Sequence, residues 1–211
     1  MTSILLTGAT GRLGKELVKL REFLAHSHTD MDITVPSSIA AYLDEHKPSL
    51  IVHAAGYVDS LKPENDAAEA IRCYETNVMA TKHLVDYATC PIIYISTEGV
   101  VEPYNVYTLT KYISEGVIRT HHNYTIVRTN FWPRPFPFPK ACDDLLTVGD
   151  YVDVVAGKIN QLIDLPCENK VVYVGTGVKT VFDVARETVP DIEPVPCQQF
   201  GIPSRKGLLN I

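Results

Sequence analysis

Residues 4–14 read Ile-Leu-Leu-Thr-Gly-Ala-Thr-Gly-Arg-Leu-Gly, and this stretch decides the fold. Its apolar beginning predicts a buried strand over Ile4–Thr7, and the glycines that follow predict a tight turn into a helix. Glycines at 8, 11 and 14 let backbone N–H groups approach a pyrophosphate at the positive end of that helix. A glycine turn that serves packing alone is the alternative, because such spacing also arises by chance.

Strand and helix signals alternate along the rest of the chain. Predicted strands cover residues 23–27, 32–34, 50–53, 91–96, 124–127 and 171–174, and predicted helices cover 12–24, 37–45, 64–87, 104–120, 149–163 and 180–187. This alternation is typical of an α/β protein. We therefore predict a Rossmann-type, doubly wound parallel sheet with helices on both faces.

Prolines alternate with aromatic residues between Pro133 and Pro139. Because proline restricts the backbone and lacks an N–H donor, we predict an extended segment outside the sheet. We divide the chain into an NAD(P)-binding core, residues 1–130, and residues 131–211, which hold a small, shortened substrate lobe and elements that return to the core. Arg134 and Lys140 can clamp a diphosphate here, but a rigid surface segment is the simpler interpretation.

Composition and charge limit the partners and the compartment. The net charge of −6 disfavours nucleic acid or an anionic membrane as main partner. Five cysteines without CxxC spacing favour a reducing compartment and argue against a structural zinc site. The first predicted strand follows Met1 almost at once, and no apolar run approaches the ~18 residues that span a bilayer. We expect a cytoplasmic protein without a metal.

A second patch begins where the strand at 91–96 ends. Ser96 and Thr97 supply hydroxyls there, and Tyr107 and Lys111 follow on one face of a predicted helix. A lysine ammonium lowers the pKa of a neighbouring phenol, so Tyr107 can pass a proton to a carbonyl oxygen that Thr97, or Ser96, holds. An ordinary surface pair is the alternative. Together with the glycine turn, the pattern predicts an NAD(P)-dependent carbonyl reductase.

The adenosine end of the cofactor site is less clearly marked. About 20 residues after the glycine turn, where an acidic residue usually holds the ribose, stand His26, Ser27 and His28. Without a carboxylate to repel a 2′-phosphate, NADPH is tolerated as well as NADH. Asp32, slightly later, can reach the adenine edge. Exposed loop residues are the alternative for both histidines.

These residues resemble the extended short-chain dehydrogenase/reductase superfamily, and within it the dTDP-4-dehydrorhamnose reductase branch. The matching blocks are residues 5–14, 31–34, 48–59, 77–78, 95–98, 105–111 and 127–131. The resemblance implies an oxidoreductase that uses NADPH or NADH to reduce a nucleotide-linked 4-keto-6-deoxy sugar, as in dTDP-rhamnose biosynthesis. The nucleotide sugar is the expected partner, and a homodimer is a further expectation.

The resemblance also implies site residues. It implies catalytic roles for Thr97, Tyr107 and Lys111. Cofactor contacts are implied for Gly8, Thr10, Gly11, Arg12, Leu13, Ala54, Ala55, Gly56, Tyr107 and Lys111. To these we add Ser27, His28, Asp32 and Ile33 at the adenosine end. Contacts with the sugar are implied for Val58, Asp59, Thr97 and Phe131.

Two other functions stay open. One is a nucleotide-sugar epimerase or a combined epimerase/reductase. The other is a non-catalytic regulatory subunit that binds the dinucleotide, similar to the regulatory subunit of methionine adenosyltransferase. The retained Thr97, Tyr107 and Lys111 argue against a non-catalytic role, and the short substrate lobe argues for it. A further departure from the branch is Glu98, which stands where an aspartate is usual.

Overall fold

The structure, a computed structural model, describes residues 3–25 and 29–204. Its strands are β1 (Ile4–Thr7), β2 (Leu24–Ala25), β3 (Leu50–His53), β4 (Ile92–Ser96), β5 (Tyr124–Arg128), β6 (Phe131–Trp132), β7 (Lys140–Cys142), β8 (Leu146–Thr147), β9 (Asp150–Tyr151), β10 (Lys170–Tyr173), β11 (Lys179–Thr180) and β12 (Glu193–Val195). Its helices are α1 (Arg12–Leu20), α2 (Pro36–His46), α3 (Lys62–Asn65), α4 (Ala67–Tyr74), α5 (Ala80–Tyr87), α6 (Val106–Ile118), α7 (Val152–Leu162) and α8 (Val181–Arg186). A π turn, Glu75–Met79, joins α4 to α5.

Six parallel strands form the central sheet, in the spatial order β10-β5-β4-β3-β1-β2. This arrangement confirms the predicted doubly wound sheet. Because β1 lies between β2 and β3, the chain switches direction across the sheet at the β1/β3 boundary. Open α/β sheets bind ligands in the crevice outside the carboxyl ends of the strands at such a switch point. The glycine turn follows β1 directly at this place.

Apolar side chains cover both faces of the sheet, which explains why its strands read as nearly continuous hydrophobic runs. Leu6 and Ile93 pack on one face with α1 and α7. Leu5 and Ile92 pack on the other face with α2, α5 and α6. Among the residues that the structure describes, no helix is both long and apolar enough to cross a bilayer.

The later part of the chain builds a third apolar cluster of its own. Its fully buried members are Tyr151, Val184, Ala185 and Cys197. Short strand pairs surround it, β6 with β9, β7 with β12 and β8 with β11. Thr180 and Asp183 form the predicted capping box at the start of α8. Between these elements, α7 and β10 return to the central sheet.

Two predicted helices differ most from the structure. The first ends at Leu20 instead of Leu24, because Arg21 has extended backbone and the chain then enters β2 beside β1. The helix predicted over 64–87 is divided at Asp66. That residue also has extended backbone, and its carboxylate caps the backbone N–H groups at the start of α4.

The strand predicted over 32–34 is wrong. Asp32 Oδ1 accepts hydrogen bonds from the backbone N–H of Thr34, at 2.9 Å, and from its hydroxyl, at 2.7 Å. An aspartate that bonds the backbone two residues on favours a turn over a sheet ladder. The strand predicted over 23–27 is reduced to β2, and residues 26–28 lie outside the described part of the chain.

A buried ion pair joins α6 to the sheet. Arg128 donates from Nη2 to Glu115 Oε2 at 2.8 Å and from Nε to Oε1 at 3.0 Å. Glu115 also accepts from the hydroxyl of Ser96 at 2.7 Å, and Arg128 donates to the hydroxyl of Tyr173 at 3.1 Å. This network connects β4, β5, β10 and α6. It also engages the Ser96 hydroxyl on Glu115, so we keep Thr97 as the candidate for the predicted carbonyl-holding role.

Candidate functional site

The turn after β1 is built on a close backbone approach. Gly8 has φ of +75°, a left-handed conformation, and an added Cβ would lie 2.6 Å from the backbone N of Ala55. Only glycine meets both requirements without strain. Gly11 closes the turn by donating its N–H to the Gly8 oxygen at 2.9 Å. The loops after β1 and β3 therefore touch at the switch point.

The start of α1 is open to an anionic ligand. Gly11 precedes the helix without a side-chain cap, and its first turn holds no acidic residue. Thr10, Gly11 and Arg12 are exposed. Unpaired N–H groups and the helix dipole attract phosphate at such a terminus. Leu13 differs from the other predicted contacts, since its side chain packs in the core and leaves only its backbone for a ligand.

The absence of a side chain at Gly14 lets α1 approach the glycine turn, and substitution by alanine tests this close approach. An added Cβ at Gly14 would lie 2.2 Å from the Gly8 oxygen. We expect Gly14→Ala to lower the free energy of unfolding by about 1–3 kcal/mol, measured by urea unfolding. Gly157→Ala in α7, where an added Cβ meets no heavy atom within 4 Å, is the control and is expected to stabilise. Unchanged stability of Gly14→Ala would contradict the close approach.

The loop after β3 forms the opposite wall of the turn. Ala54, Ala55 and Gly56 are partly buried there. Ala55 donates its N–H to Thr7 Oγ1 at 3.1 Å. An added Cβ at Gly56 would lie 3.0 Å from Asn77 Oδ1, so the loop also runs close to the π turn.

The predicted adenosine-end residues are only partly described. Ser27 and His28 lie outside the described residues. Asp32 holds the turn to Thr34, as given above. Ile33 is only 3% exposed and its side chain packs in the core with α2, so its predicted cofactor contact stays a prediction.

Thr97 and Tyr107 stand at the carboxyl edge of the sheet. Thr97 follows β4 and donates its hydroxyl hydrogen to Asn130 Oδ1 at 3.0 Å. Tyr107 lies in the first turn of α6, which Asn105 caps through a capping box. No described residue makes a hydrogen bond to the partly buried Tyr107 hydroxyl. Burial raises the pKa of Tyr107, and the neighbouring Tyr104 raises it further.

Lys111 reaches the sheet rather than the phenol. Its Nζ donates to the backbone oxygen of Ile95 at 2.7 Å and lies 4.1 Å from the centre of the Tyr94 ring. Burial lowers the pKa of Lys111 to about 7. We expected Lys111 to lower the pKa of Tyr107, but in the structure that pKa is raised, because burial dominates and the ammonium is directed to the Ile95 carbonyl.

The lowered pKa of Lys111 predicts a pH-dependent stability. Lys111 has a pKa of about 7 in the folded protein and 10.5 in the unfolded chain. Between these values the unfolded chain binds more protons, so the free energy of unfolding rises with pH. We expect the unfolding free energy of the wild type to rise relative to that of Lys111→Met as pH rises through this window. Urea unfolding at a series of pH values measures the difference. A constant difference would contradict the prediction.

Asn77 was not predicted as a site residue, although it lies in a block of the resemblance. It is 2% exposed within the π turn. Its Oδ1 accepts from the Tyr57 N–H at 2.8 Å, and its Nδ2 donates to the Tyr57 oxygen at 3.1 Å and to Thr110 Oγ1 at 2.9 Å. One amide thus joins the loop after β3 to the helix that carries Tyr107. Its place in the matching block at 77–78 was the sequence signal that could have identified it.

Glu98, which stands where an aspartate is usual, makes hydrogen bonds that hold neighbouring segments of the fold together. It is fully buried and accepts from Asn130 Nδ2 at 2.9 Å, from the Val148 N–H at 2.9 Å and from Thr147 Oγ1 at 3.1 Å. Because Asn130 in turn accepts from Thr97, the carboxylate fixes the surroundings of that hydroxyl. The end of β4 is thereby tied to the segment around β8.

The residues predicted to face a sugar surround the same edge. Val58 is 69% exposed. Asp59 Oδ1 accepts from the N–H groups of Leu61 and Lys62 at 3.0 Å, so its carboxylate also shapes the loop before α3. Phe131 is partly buried against the core.

The two cations considered for a diphosphate clamp have carboxylate partners. Arg134 pairs with Asp153 at 3.2 Å, and Lys140 pairs with Glu193 at 2.7 Å. The rigid surface segment is therefore the better interpretation of residues 133–140. In the described part of the chain, no group of three or more His, Cys, Asp or Glu residues is arranged to hold a metal.

Comparison with known proteins identifies relatives of this site. The profile of the family described as the RmlD substrate binding domain matches residues 1–132. A dTDP-4-dehydrorhamnose reductase of Aggregatibacter actinomycetemcomitans is 32% identical over 113 residues, 49% of this chain and 37% of the relative. A probable dTDP-4,6-dihydroxy-2-methyloxan-3-one 4-ketoreductase of Streptomyces antibioticus is 33% identical over 102 residues, 46% of this chain and 35% of the relative. The matched part of the chain thus spans little more than a third of these relatives.

A solved structure extends the likeness to the whole fold. The dTDP-4-dehydrorhamnose reductase of Bacillus anthracis str. Ames, in complex with NADP, superposes with a TM-score of 0.80 at 22% identity. The superposition covers 98% of this chain and 88% of that one. At this identity the likeness concerns the fold.

Proposed function

Because the chain belongs to the family described as the RmlD substrate binding domain, we propose that it is an NAD(P)H-dependent reductase of a nucleotide-linked 4-keto-6-deoxy sugar. One observation carries the proposal. Tyr107 presents a hydroxyl without a described partner at the sheet edge where the glycine turn opens. The relatives named as a reductase and a 4-ketoreductase support a ketone on a sugar nucleotide as substrate.

The residues of the switch point fit a dinucleotide. An added Cβ at Gly8 would meet the Ala55 backbone, so the cradle is shaped by the absence of a side chain. The first turn of α1 offers free N–H groups and no carboxylate to repel phosphate. We propose that residues 8–13 and 54–56 hold NADPH or NADH through their backbone. The cofactor, when bound, supplies hydride to the carbonyl carbon.

Tyr107 is proposed as the proton donor. Its raised pKa keeps the phenol protonated near neutral pH, which is the form that can donate to a carbonyl oxygen as negative charge develops on it. We propose that Thr97 orients the same oxygen from the end of β4, by turning its hydroxyl hydrogen from Asn130 Oδ1 to the substrate. We propose that Lys111, which is held by the Ile95 oxygen, contacts the cofactor, as the resemblance implies.

We propose that Val58, Asp59 and Phe131 face the sugar and that the third apolar cluster with its strand pairs is the substrate lobe. We also propose a cytoplasmic homodimer. The outer faces of α4 and α6 support the dimer, because large apolar side chains are exposed on both. They include Ile71, Tyr74, Leu109 and Tyr112.

The test is turnover by the purified chain with either cofactor and freshly generated dTDP- or UDP-4-keto-6-deoxy sugars. We expect loss of the near-ultraviolet absorbance of the reduced cofactor, dependent on the keto sugar. The corresponding 4-hydroxy sugar nucleotides are the control, since they offer no carbonyl at that carbon. If the protein binds the cofactor but does not oxidise it with any of these keto sugars, the proposal is contradicted.

A further inference from the structure

His53 is a fully buried histidine at the end of β3, and both of its ring nitrogens make hydrogen-bond contacts. Nδ1 lies 2.7 Å from Oγ1 of Thr7, the last residue of β1. Nε2 lies 3.1 Å from Oγ1 of Thr81 in α5. The imidazole therefore bridges the strand that enters the glycine turn and the helix that follows the π turn.

The neighbouring donors indicate where the ring carries its proton. Thr81 donates its hydroxyl hydrogen to the backbone oxygen of Asn77 at 2.6 Å, so its Oγ1 accepts from Nε2 of His53. Thr7 Oγ1 accepts from the N–H of Ala55 and keeps its own hydrogen for Nδ1. A neutral imidazole with its proton on Nε2 satisfies all these groups. A proton on Nδ1 would leave the buried Thr7 hydroxyl hydrogen without this acceptor.

Each end of the bridge leads to a different part of the site. On the Nδ1 side, Thr7 holds the N–H of Ala55, which lies against Gly8. On the Nε2 side, Thr81 donates its hydroxyl hydrogen to the backbone oxygen of Asn77. The Asn77 amide bonds to Thr110 Oγ1 at 2.9 Å, and Thr110 bonds to the backbone oxygen of Tyr107 at 2.8 Å.

We propose that His53, as the neutral Nε2–H imidazole, is a positioning residue that holds the dinucleotide-binding loop and the Tyr107 helix in register; the role rests on the proposed function. Through Thr7, the Nδ1 contact positions the loop at Ala55, and through Thr81 the Nε2 contact positions Asn77. Because the two ring nitrogens contact different groups, substitutions that keep one contact and remove the other can separate an effect on cofactor affinity from an effect on kcat.

Two variants each keep one end of the bridge. The amide of His53→Asn occupies the place of Nδ1 and keeps Thr7, so we expect unchanged cofactor affinity and a kcat about tenfold lower. The amide of His53→Gln extends to the place of Nε2 and keeps Thr81. For His53→Gln we expect unchanged kcat at saturating cofactor and a cofactor Kd about tenfold higher. Calorimetry gives the Kd and steady-state kinetics gives kcat.

His121 provides the matched control. It is a buried histidine whose Nε2 bonds to the backbone oxygen of Cys90 at 2.9 Å, just before the amino end of β4. The amide of His121→Gln reaches the place of Nε2 in the same way, and we expect it to leave both cofactor affinity and kcat unchanged. If His53→Asn and His53→Gln each lower cofactor affinity and kcat by the same factor, or change neither, the positioning role is refuted.

The tautomer provides a test that does not depend on turnover. Nitrogen NMR of histidine-labelled wild type, with the His53 signals assigned through ring-to-backbone correlations, reports which ring nitrogen carries hydrogen. We expect the Nε2–H form at neutral pH, and an Nδ1–H or doubly protonated ring would overturn the proposal. If His53 carries its proton on Nε2 and only His53→Gln raises the cofactor Kd, but no sugar is reduced, the positioning role stands and the proposed substrate is wrong.

Discussion

Tyr107→Phe is expected to reduce kcat for the keto sugar by about 100- to 10,000-fold, the usual contribution of a positioned general acid. The substitution removes only the hydroxyl, which makes no hydrogen bond to a described residue, so no internal contact is lost with it. The helix start stays intact because Asn105 and Thr108 cap it. Stopped-flow or steady-state oxidation of the reduced cofactor measures the loss.

Tyr112→Phe is the matched control for this prediction. Tyr112 lies on the same helix and is 55% exposed, and phenylalanine keeps the apolar ring of the proposed dimer face, so we expect wild-type turnover. Calorimetric titration should give the same cofactor affinity for Tyr107→Phe and the wild type. Undiminished turnover by Tyr107→Phe would show that another group donates the proton.

Arg128→Met is expected to lower the free energy of unfolding by about 3–5 kcal/mol, because it leaves a buried carboxylate without its main cation. The side chains of Glu115 and Arg128 are only 3% and 17% exposed. The guanidinium also supports Tyr173 on β10, so the loss extends across three strands and α6. Urea unfolding followed by circular dichroism measures the change.

Arg119→Met tests whether the effect depends on burial. Arg119 lies 3.7 Å from the same Glu115, but its side chain is 46% exposed. Exposed pairs contribute roughly 0–1 kcal/mol, so we expect a small change here. Equal losses for Arg119→Met and Arg128→Met would contradict the view that the buried, two-bond geometry stabilises the fold.

Several features of the fold follow from short stretches of sequence. The runs at 4–7 and 50–53 predict buried strands because every side chain in them is apolar or strand-compatible, and both form as predicted. The capping box at Thr180 and Asp183 is equally local. Interactions within one element depend on nearby residues alone, so spacing and residue type are enough to predict them.

Other features of the structure are not evident when the chain is read one segment at a time. The helix over 64–87 breaks at Asp66, whose carboxylate caps the following helix instead of continuing the preceding one. Ile33 was predicted at the adenosine end of the cofactor, and the structure shows that its side chain completes the core against α2. Burial in a core depends on which elements pack together, and a single segment does not contain that information.

The sequence by itself determined a parallel α/β sheet, a glycine turn after its first strand, and a tyrosine and lysine on one helix. Only the tertiary structure shows where the two adjacent hydroxyls at the end of β4 go, since Ser96 meets Glu115 and Thr97 meets Asn130. It also directed Lys111 to Ile95 and placed His53 between β1 and α5. Each of these contacts joins residues at least 16 positions apart, and only packing of the complete chain brings them within hydrogen-bond distance.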